Sequence, residues 1–232
     1  MNKTYLLSPK ISTDLQGMWF EGSAYERQSI YSINDSSPPP VNYDKHTLKP
    51  HSITHMEAPA HTLDNGNTVD YFFNDLTNFI GKALVIKVKK GSYKLVDKEK
   101  SIYHWEISLN ELKEELDRYT NIPSKIIVTT PNYPTIESGF HDPRYVLTLS
   151  QEAADYLISL PNFHMYGTSW KSSDFKPGSK ERPIHNTLFK SAYIVENLTL
   201  NNVPEGLYEY TGIPLYLDGA SESPIMPVLR EL

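Results

Sequence analysis

The chain has 232 residues, of which 39% are hydrophobic and 22% charged, with a formal net charge of −6 and no cysteine. The hydrophobic share is typical of a soluble globular protein, and the length favours a single domain covering residues 1–232. The negative charge argues against a nucleic-acid partner, and the lack of cysteine excludes disulfides, thiolate metal ligands and a cysteine nucleophile. Because no apolar stretch is long enough for a signal peptide or a membrane span, we expect a cytoplasmic protein with no membrane partner.

The first fifty residues predict little regular structure, with short strands at Tyr5–Leu7 and Ser29–Ile33. The proline-rich run Ser36–Pro40 excludes a helix or a central strand, so we expect a surface loop there. Aromatic side chains are frequent in this region, and we expect most of them to pack in the core: Trp19, Phe20, Tyr25, Tyr31 and Tyr43.

Residues 51–61 read His-Ser-Ile-Thr-His-Met-Glu-Ala-Pro-Ala-His and contain three of the eight histidines of the chain. His51, His55, Glu57 and His61 are separated by even numbers of residues, so on an extended strand all four side chains would point to one face. A helix would rotate Glu57 away from the histidines, and Pro59 would break it. The pattern therefore predicts a strand that runs into a turn.

The four polar side chains of this stretch form a candidate ligand set, because imidazole nitrogens and carboxylate oxygens suit zinc, manganese or iron. A polar strand face on which the histidines occur by chance is the alternative interpretation. Three histidines and one acid in phase favour a metal or catalytic site over that alternative.

The middle of the chain alternates apolar runs with amphipathic stretches. Runs of β-branched residues predict strands, Ser108 and Glu111 form a capping box for a helix that should end before Pro123, and Ser150 caps a second helix that should stop at Pro161. The alternation indicates a mixed α/β architecture with a layered sheet. The predicted elements are strand Ala83–Val88, a helix from Leu109, strand Lys125–Thr130, a helix from Ser150, strand Phe163–Tyr166 and loop Gly167–Asp174.

The carboxyl-terminal third contains two further candidate residues, His185 and Glu196. His185 belongs to a predicted helix that runs to Phe189, with Pro183 in its first turn. Glu196 interrupts the apolar strand Tyr193–Leu198, and burying such an acid is costly unless it is paired or binds a cation. Taken singly, each residue also has a simpler interpretation: His185 as a surface histidine, and Glu196 as a carboxylate at the end of a strand that faces water.

The histidine stretch resembles the signature His-x-Gly-Thr-His-x-Asp-x-Pro-x-His of the metal-dependent cyclase family, which includes bacterial kynurenine formamidases and isatin hydrolases. Ile53 stands where the family has Gly, and Glu57 stands where it has Asp. The matching positions are His51, Thr54, His55, Pro59 and His61.

The resemblance continues downstream of the signature. His185 falls on a family histidine, and Val195–Leu198 is similar to a strand that ends in Glu-Asn-Leu. Tyr166–Ser169 and Ser172–Asp174 resemble the Gly-x-Asp-Thr-like loop of the family. Gly219–Pro224 resembles its closing Gly-rich segment, although the Arg that usually follows is absent.

This resemblance implies an α/β fold of the swivelling β/β/α cyclase type, with mixed layered β-sheets and flanking helices. It implies one or two divalent ions, with zinc or manganese favoured. His51, His55 and Glu57 would bind the first ion, and Glu57 would bridge to a second ion held by His185 and Glu196. His61 would stay unligated as the catalytic proton-transfer group, with an ordinary pKa near neutrality.

The resemblance also implies a function. We expect a hydrolase of a small amide, an arylformamide or a cyclic amide, that forms a homodimer or a higher homo-oligomer. Since Glu57 has one methylene more than Asp, and Ile53 adds bulk that could reshape the pocket floor, a catalytically impaired relative that only binds a small ligand is the alternative. A lone structural metal in a protein that works through its surface is a third interpretation.

Overall fold

The computed structural model describes residues 2–19, 22–34, 39–176 and 180–232. Phe20 of the aromatic cluster and residues 36–38 of the proline-rich loop lie outside the described residues. The strands are β1 Thr4–Leu6, β2 Tyr25–Tyr31, β3 Tyr43–Leu48, β4 His55–Glu57, β5 Ile80–Lys87, β6 Lys94–Asp97, β7 Ile102–Ile107, β8 Lys125–Thr129, β9 Tyr145–Leu149, β10 Met165–Thr168, β11 Tyr193–Glu196, β12 Gly206–Thr211, β13 Glu222–Pro224 and β14 Val228–Glu231. The α-helices are α1 Leu109–Leu116, α2 Gln151–Ser159 and α3 Pro183–Leu188, and short 3-10 turns cover Pro50–Ser52, Pro59–His61, Val69–Asn74 and Leu76–Asn78.

A large mixed sheet organises the fold, with the strand order β1-β14-β12-β5-β8-β10-β11-β4-β13. Its centre consists of the parallel strands β5, β8, β10 and β11, and β4 pairs antiparallel with both β11 and β13. Three of these parallel strands, β5, β8 and β11, contain Val and Ile in succession, as is typical of strands whose two faces are both buried. The strand that carries His55 and Glu57 therefore lies near one edge of this sheet.

Two hydrophobic cores lie on opposite faces of the sheet, as the alternation along β5 shows. Leu84 and Ile86 belong to the core that includes apolar residues of α1, α2 and α3, whereas Ala83 and Val85 belong to the other core. Met56 contacts the second core, so its neighbours His55 and Glu57 point to the face that carries the helices. This places the ligand candidates beside α3.

The mixed α/β class predicted from the sequence is confirmed. The capping box at Ser108 forms, since its side chain accepts a hydrogen bond from the Glu111 backbone while Glu111 reaches back. Ser150 likewise caps α2. Helices and buried strands are therefore found where local signals were strong.

Several of the predicted strand bounds need correction. Gly167 and Thr168 continue β10 instead of starting a loop, because they pair with Ile127 and Val128 of β8. The strand expected at Ser29–Ile33 is Tyr25–Tyr31, since its register is fixed by pairing with β3, and the strand expected to run to Leu198 ends at Glu196.

Smaller sheets complete the structure: β2 pairs with β3, and β6, β7 and β9 form a three-stranded sheet. In the described part of the chain, no helix combines the length and the apolar character needed to cross a membrane. The assignment of residues 1–232 to one domain stays a prediction.

Candidate metal centre

The predicted strand that runs into a turn is found in the second half of the histidine stretch, but the strand does not extend back to His51 as expected. Only His55–Glu57 is extended, and 3-10 turns at Pro50–Ser52 and Pro59–His61 flank it. Both turns have proline in the first position, where the fixed φ favours a turn and the missing N–H is not needed. The turns fold His51 and His61 back toward β4, so the four side chains still converge.

Sheet register and one helix bring the distant candidates to the same place. Glu196 lies directly opposite His55 in the pairing of β11 with β4, so both side chains share one face at short range. His185 comes from α3, which packs on that face of the sheet. These three residues are, like Glu57, almost fully buried.

Glu57 is the centre of the cluster. Its Oε1 lies 3.2 Å from His51 Nδ1, 3.3 Å from His55 Nε2 and 3.4 Å from His61 Nε2. Its Oε2 lies 3.0 Å from His185 Nε2. One carboxylate therefore contacts nitrogens of four histidines, one of which is far from the others in sequence.

Glu196 extends the cluster on the side of β11. Its Oε1 lies 3.6 Å from His185 Nε2, and its Oε2 lies 3.9 Å from His55 Nε2. The Ser173 hydroxyl donates a hydrogen bond of 2.7 Å to Glu196 Oε1. Glu196 thus reaches the two fully buried histidines, and Ser173 fixes its orientation.

Hydrogen bonds around the cluster set which nitrogen of each buried histidine faces inward. His55 Nδ1 donates to the Ile53 carbonyl at 2.9 Å, and His185 Nδ1 donates to Asp174 Oδ2 at 2.6 Å. Each imidazole therefore directs Nε2 at Glu57, which is the arrangement that metal-binding histidines use. Asn197 also donates to the Ile53 carbonyl, at 3.0 Å, and ties the end of β11 to the histidine stretch.

The buried carboxylates of Glu57 and Glu196 require positive charge nearby to balance them. Burial alone would lower the pKa of His185, but Glu57, Asp174 and Glu196 raise it to about 9. Burial and the charge of Glu57 raise the pKa of Glu196, whereas burial of Glu57 is outweighed by His185 and the other histidines, which hold its pKa well below the usual range. Two buried carboxylates are thus balanced by protons on imidazoles, and a divalent cation would supply the same charge.

His61 departs from the expectation of a pKa near neutrality. Burial is the main cause that lowers its pKa to about 4, and the nearby His51, His185 and Arg182 add to the effect while Glu57 opposes it. The imidazole is therefore neutral at pH 7. One of its ring nitrogens also lies within 4.8 Å of ligand atoms of His51 and Glu57, so the distances admit His61 as a ligand.

The two departures from the family signature have different consequences. Ile53 has extended backbone angles, φ −131° and ψ 177°, so the position does not need glycine. Its side chain is fully buried and packs with Leu15, Ala24 and Phe140, so the expectation that Ile53 reshapes the pocket floor is not supported. Glu57, by contrast, stands at the centre of the cluster, where its two carboxylate oxygens contact histidines on both sides.

The residues present fit a divalent ion. His51, Glu57 and His61 form one group of ligand atoms within 4.8 Å of one another, and His55, Glu57 and Glu196 form another. Nitrogen and carboxylate oxygen donors suit zinc, manganese and iron. Glu57 belongs to both groups.

A cavity of about 530 Å³ opens beside the cluster, a size that suits a small molecule. His51, Glu57, His61 and Glu196 contribute to its lining, and so do side chains that the sequence did not single out. His51 and His61 are the partly exposed members of the cluster, at 31% and 18% of their side chains. A ligand in the cavity would therefore approach the cluster from their side.

Two residues of the site, Lys171 and Arg182, had no signal in the sequence. Trp19 was expected to pack in the core, but it is only half-buried and lines the cavity. Ser173 and Asp174 belong to the loop that resembles the family, but nothing in the sequence linked Asp174 to His185, eleven positions further along the chain. Trp19 and Lys171 come from segments far apart in the chain. These contacts depend on tertiary structure and not on local pattern.

Comparison with known proteins now identifies the family. The model of the family described as "Putative cyclase" matches residues 6–173. The chain belongs to this cyclase family. A relative described as kynurenine formamidase, from Polaromonas naphthalenivorans (strain CJ2), is 27% identical over 211 residues, covering 90% of this chain and 83% of the relative.

Solved structures share the cyclase fold over nearly the whole chain. Isatin hydrolase A from Ralstonia solanacearum has a TM-score of 0.74 at 20% identity, covering 100% of this chain and 92% of that protein. A predicted metal-dependent hydrolase from Bacillus stearothermophilus has a TM-score of 0.68 at 20% identity, with 100% of both chains covered. At these identities the likeness concerns the fold, and the expected cyclase-type fold is confirmed.

Proposed function

We propose that the protein is a metal-dependent hydrolase that cleaves the C–N bond of a small amide, either an arylformamide or a cyclic amide. The observation that carries this proposal is the position of Glu57, whose carboxylate oxygens lie 3.0–3.4 Å from nitrogens of four histidines. Membership of the cyclase family, and the names kynurenine formamidase and isatin hydrolase A among its relatives, support this reaction class.

We assign His51, His55 and Glu57 to a first divalent ion. Glu57 would bridge to a second ion held by His185 and Glu196, and the distances of 3.0 Å and 3.6 Å from His185 Nε2 to these two carboxylates support that assignment. Zinc and manganese are the ions we propose, because both accept imidazole together with carboxylate.

A divalent ion, when bound, supplies Lewis acidity that lowers the pKa of water and polarises a carbonyl group. The chain supplies the proton transfer and the positioning. His61, neutral at pH 7, accepts a proton from the attacking water at Nε2 and returns it to the leaving nitrogen. Asp174 keeps the proton of His185 on Nδ1, and Ser173 orients Glu196.

The proposal is tested with formanilide and isatin as an arylformamide and a cyclic amide. We expect the metal-loaded protein to hydrolyse one of them, to lose this activity on chelation and to regain it on addition of zinc or manganese. Failure of the metal-loaded protein to cleave any formamide or cyclic amide would contradict the proposal and favour the impaired, ligand-binding alternative.

We also propose that the protein works in the cytoplasm as a homodimer or higher homo-oligomer. Exposed apolar side chains on the β2–β3 ribbon, such as Ile30, Tyr31 and Tyr43 at 42–57% exposure, support an interface there. A two-stranded ribbon is also marginally stable unless something packs on it. Light scattering that finds only monomer at micromolar concentration would contradict this proposal.

A further inference from the structure

The cavity beside the metal centre has a positively charged wall. Its acidic lining residues are Glu57 and Glu196, and both belong to the ligand cluster. Outside the cluster, the charged lining residues in the described part of the chain are Lys49, Lys171 and Arg182. A ligand that extends from the cluster into the cavity therefore meets cations.

Lys171 is held in a fixed place by aromatic side chains. Its Nζ lies 4.3 Å from the centroid of the Trp19 ring and 5.4 Å from that of the Trp170 ring, close enough for cation–π attraction. Its Nζ also lies 3.5 Å from the Met18 carbonyl oxygen, to which it donates. The ammonium group is thus oriented before any ligand binds, which reduces the entropy lost on binding.

Lys171 lacks the counter-ion that a half-buried ammonium usually has. Burial lowers its pKa, and no carboxylate in the described part of the chain offsets that effect. Holding a cation away from water without a paired anion is costly, so a bound ligand that supplies an anion would stabilise the charged Lys171 ammonium group. A carboxylate is an anion of suitable size and hydrogen-bonding geometry for an ammonium group.

Arg182 provides a second cation closer to the ligand cluster. Its guanidinium Nη2 lies 3.2 Å from His185 Nε2, and its Nε lies 3.5 Å from Asp174 Oδ2. The side chain is 18% exposed and lines the same cavity as Lys171. Together the two cations give the cavity a positive potential next to the reacting centre.

We propose that Lys171, supported by Arg182, forms a carboxylate-binding subsite, and that the preferred substrate is an amide that also carries a carboxylate group. This inference rests on the proposed hydrolase function and specifies the substrate class of the same site. Lys171 acts as a specificity-determining residue, because it contacts a part of the substrate away from the scissile bond.

The test compares formanilide with 2-, 3- and 4-formamidobenzoate, which differ from it only by one carboxylate. For metal-loaded protein, we expect kcat/KM of the best isomer to exceed that of formanilide about ten- to hundredfold, the range of a charge-assisted hydrogen bond. The difference should lie mainly in KM. Lys171→Met should lower kcat/KM for the best isomer about ten- to hundredfold, mainly through KM, and should lower kcat/KM for formanilide far less, so that most of the preference is lost.

Lys176→Met is the matched control. Lys176 lies in the same loop region, is exposed and lines a different cavity, so this variant should leave both substrates unaffected. Equal rates for formanilide and all three isomers would overturn the inference. It would also be overturned if Lys171→Met slowed both substrate classes equally, since Lys171 would then only support the cavity wall.

A second measurement separates this inference from the proposed function. If none of these formamides is cleaved, the hydrolase proposal fails for arylformamides. Binding of the aminobenzoates and of aniline, measured by calorimetry, then tests whether the carboxylate-binding subsite exists independently of catalysis. Aminobenzoate binding to metal-loaded protein that weakens about tenfold in Lys171→Met but not in Lys176→Met would support the subsite. Binding unaffected by Lys171→Met would overturn it.

Discussion

Asp174 offers a sharp test of how the chain prepares His185 as a ligand. Both oxygens of the buried Asp174 accept hydrogen bonds: Oδ1 from the Ile184 backbone N–H at 3.0 Å, and Oδ2 from the His185 imidazole at 2.6 Å and the His185 backbone N–H at 3.3 Å. Asp174→Asn keeps the size but removes the charge and one of the two acceptor oxygens. In either orientation of the amide, His185 Nδ1 loses its hydrogen bond to a carboxylate and faces an NH₂ group or a neutral amide oxygen instead.

An NH₂ group that faces His185 Nδ1 would move the imidazole proton to Nε2, and a protonated Nε2 cannot bind a metal. A neutral amide oxygen in the same place would hold the Nδ1 proton less strongly than the carboxylate does. The variant therefore loses metal affinity in either orientation. Loss of the hydrogen-bond partner of a metal-ligating histidine typically lowers metal affinity ten- to hundredfold, which corresponds to about 1.4–2.8 kcal/mol at roughly 1.4 kcal/mol per tenfold change. We expect a loss in that range for the ion that His185 binds.

The assay is competition for zinc between the protein and a chromogenic chelator, combined with urea unfolding of the metal-free forms. Asp142→Asn is the control, because Asp142 is a buried carboxylate whose partner is Arg144 instead of a histidine. This control should lose stability but keep its zinc affinity. Unchanged zinc affinity in Asp174→Asn, or an equal loss in both variants, would refute the idea that Asp174 prepares His185 as a ligand.

Four further predictions concern the site and the scaffold. His61→Ala should retain its metal and lose about 10²- to 10⁴-fold in kcat; loss of metal from this variant would instead make His61 a ligand. Glu57→Asp should lower kcat/KM and metal content, because the shorter side chain cannot contact histidines on both sides, and a gain in hydrolysis would show that Glu57 had impaired an ancestral site. When the metal is present at a free concentration of about 100 times its Kd, removing it with a chelator should lower the free energy of unfolding by about 2.7 kcal/mol, measured by thermal or urea unfolding. An unchanged unfolding curve would contradict a buried metal. Ser108→Ala should cost about 1 kcal/mol in urea unfolding through loss of the α1 cap, with kcat unchanged.

The sequence predicted those parts of the fold that are encoded locally. The capping box at Ser108 and the cap at Ser150 fix helix starts through contacts three residues away, so their signals lie within one short window. Strand bounds were less predictable, because pairing partners determine them. Gly167 and Thr168 look like loop residues, yet they pair with β8 and continue β10.

In the histidine stretch, the predicted grouping of side chains is found although the local structure was predicted only in part. Even spacing predicted that His51 and His61 would join His55, and they do, but through 3-10 turns that begin at Pro50 and Pro59. Those two prolines were the available signal for the turns. The contacts of Asp174 with His185 and of Lys171 with Trp19 lacked any such signal, since only the packing of distant segments creates them.

Metal content per chain, measured by elemental mass spectrometry on protein purified without chelator, tests the central claim most directly. His46→Ala is the matched control, because His46 lies on β3, away from the cluster, and its Nδ1 pairs with the Tyr25 hydroxyl. We expect bound zinc or manganese in the wild type and in His46→Ala, and its loss from His51→Ala and His55→Ala. Absence of metal from the wild type, even after incubation with zinc and manganese, would contradict the account.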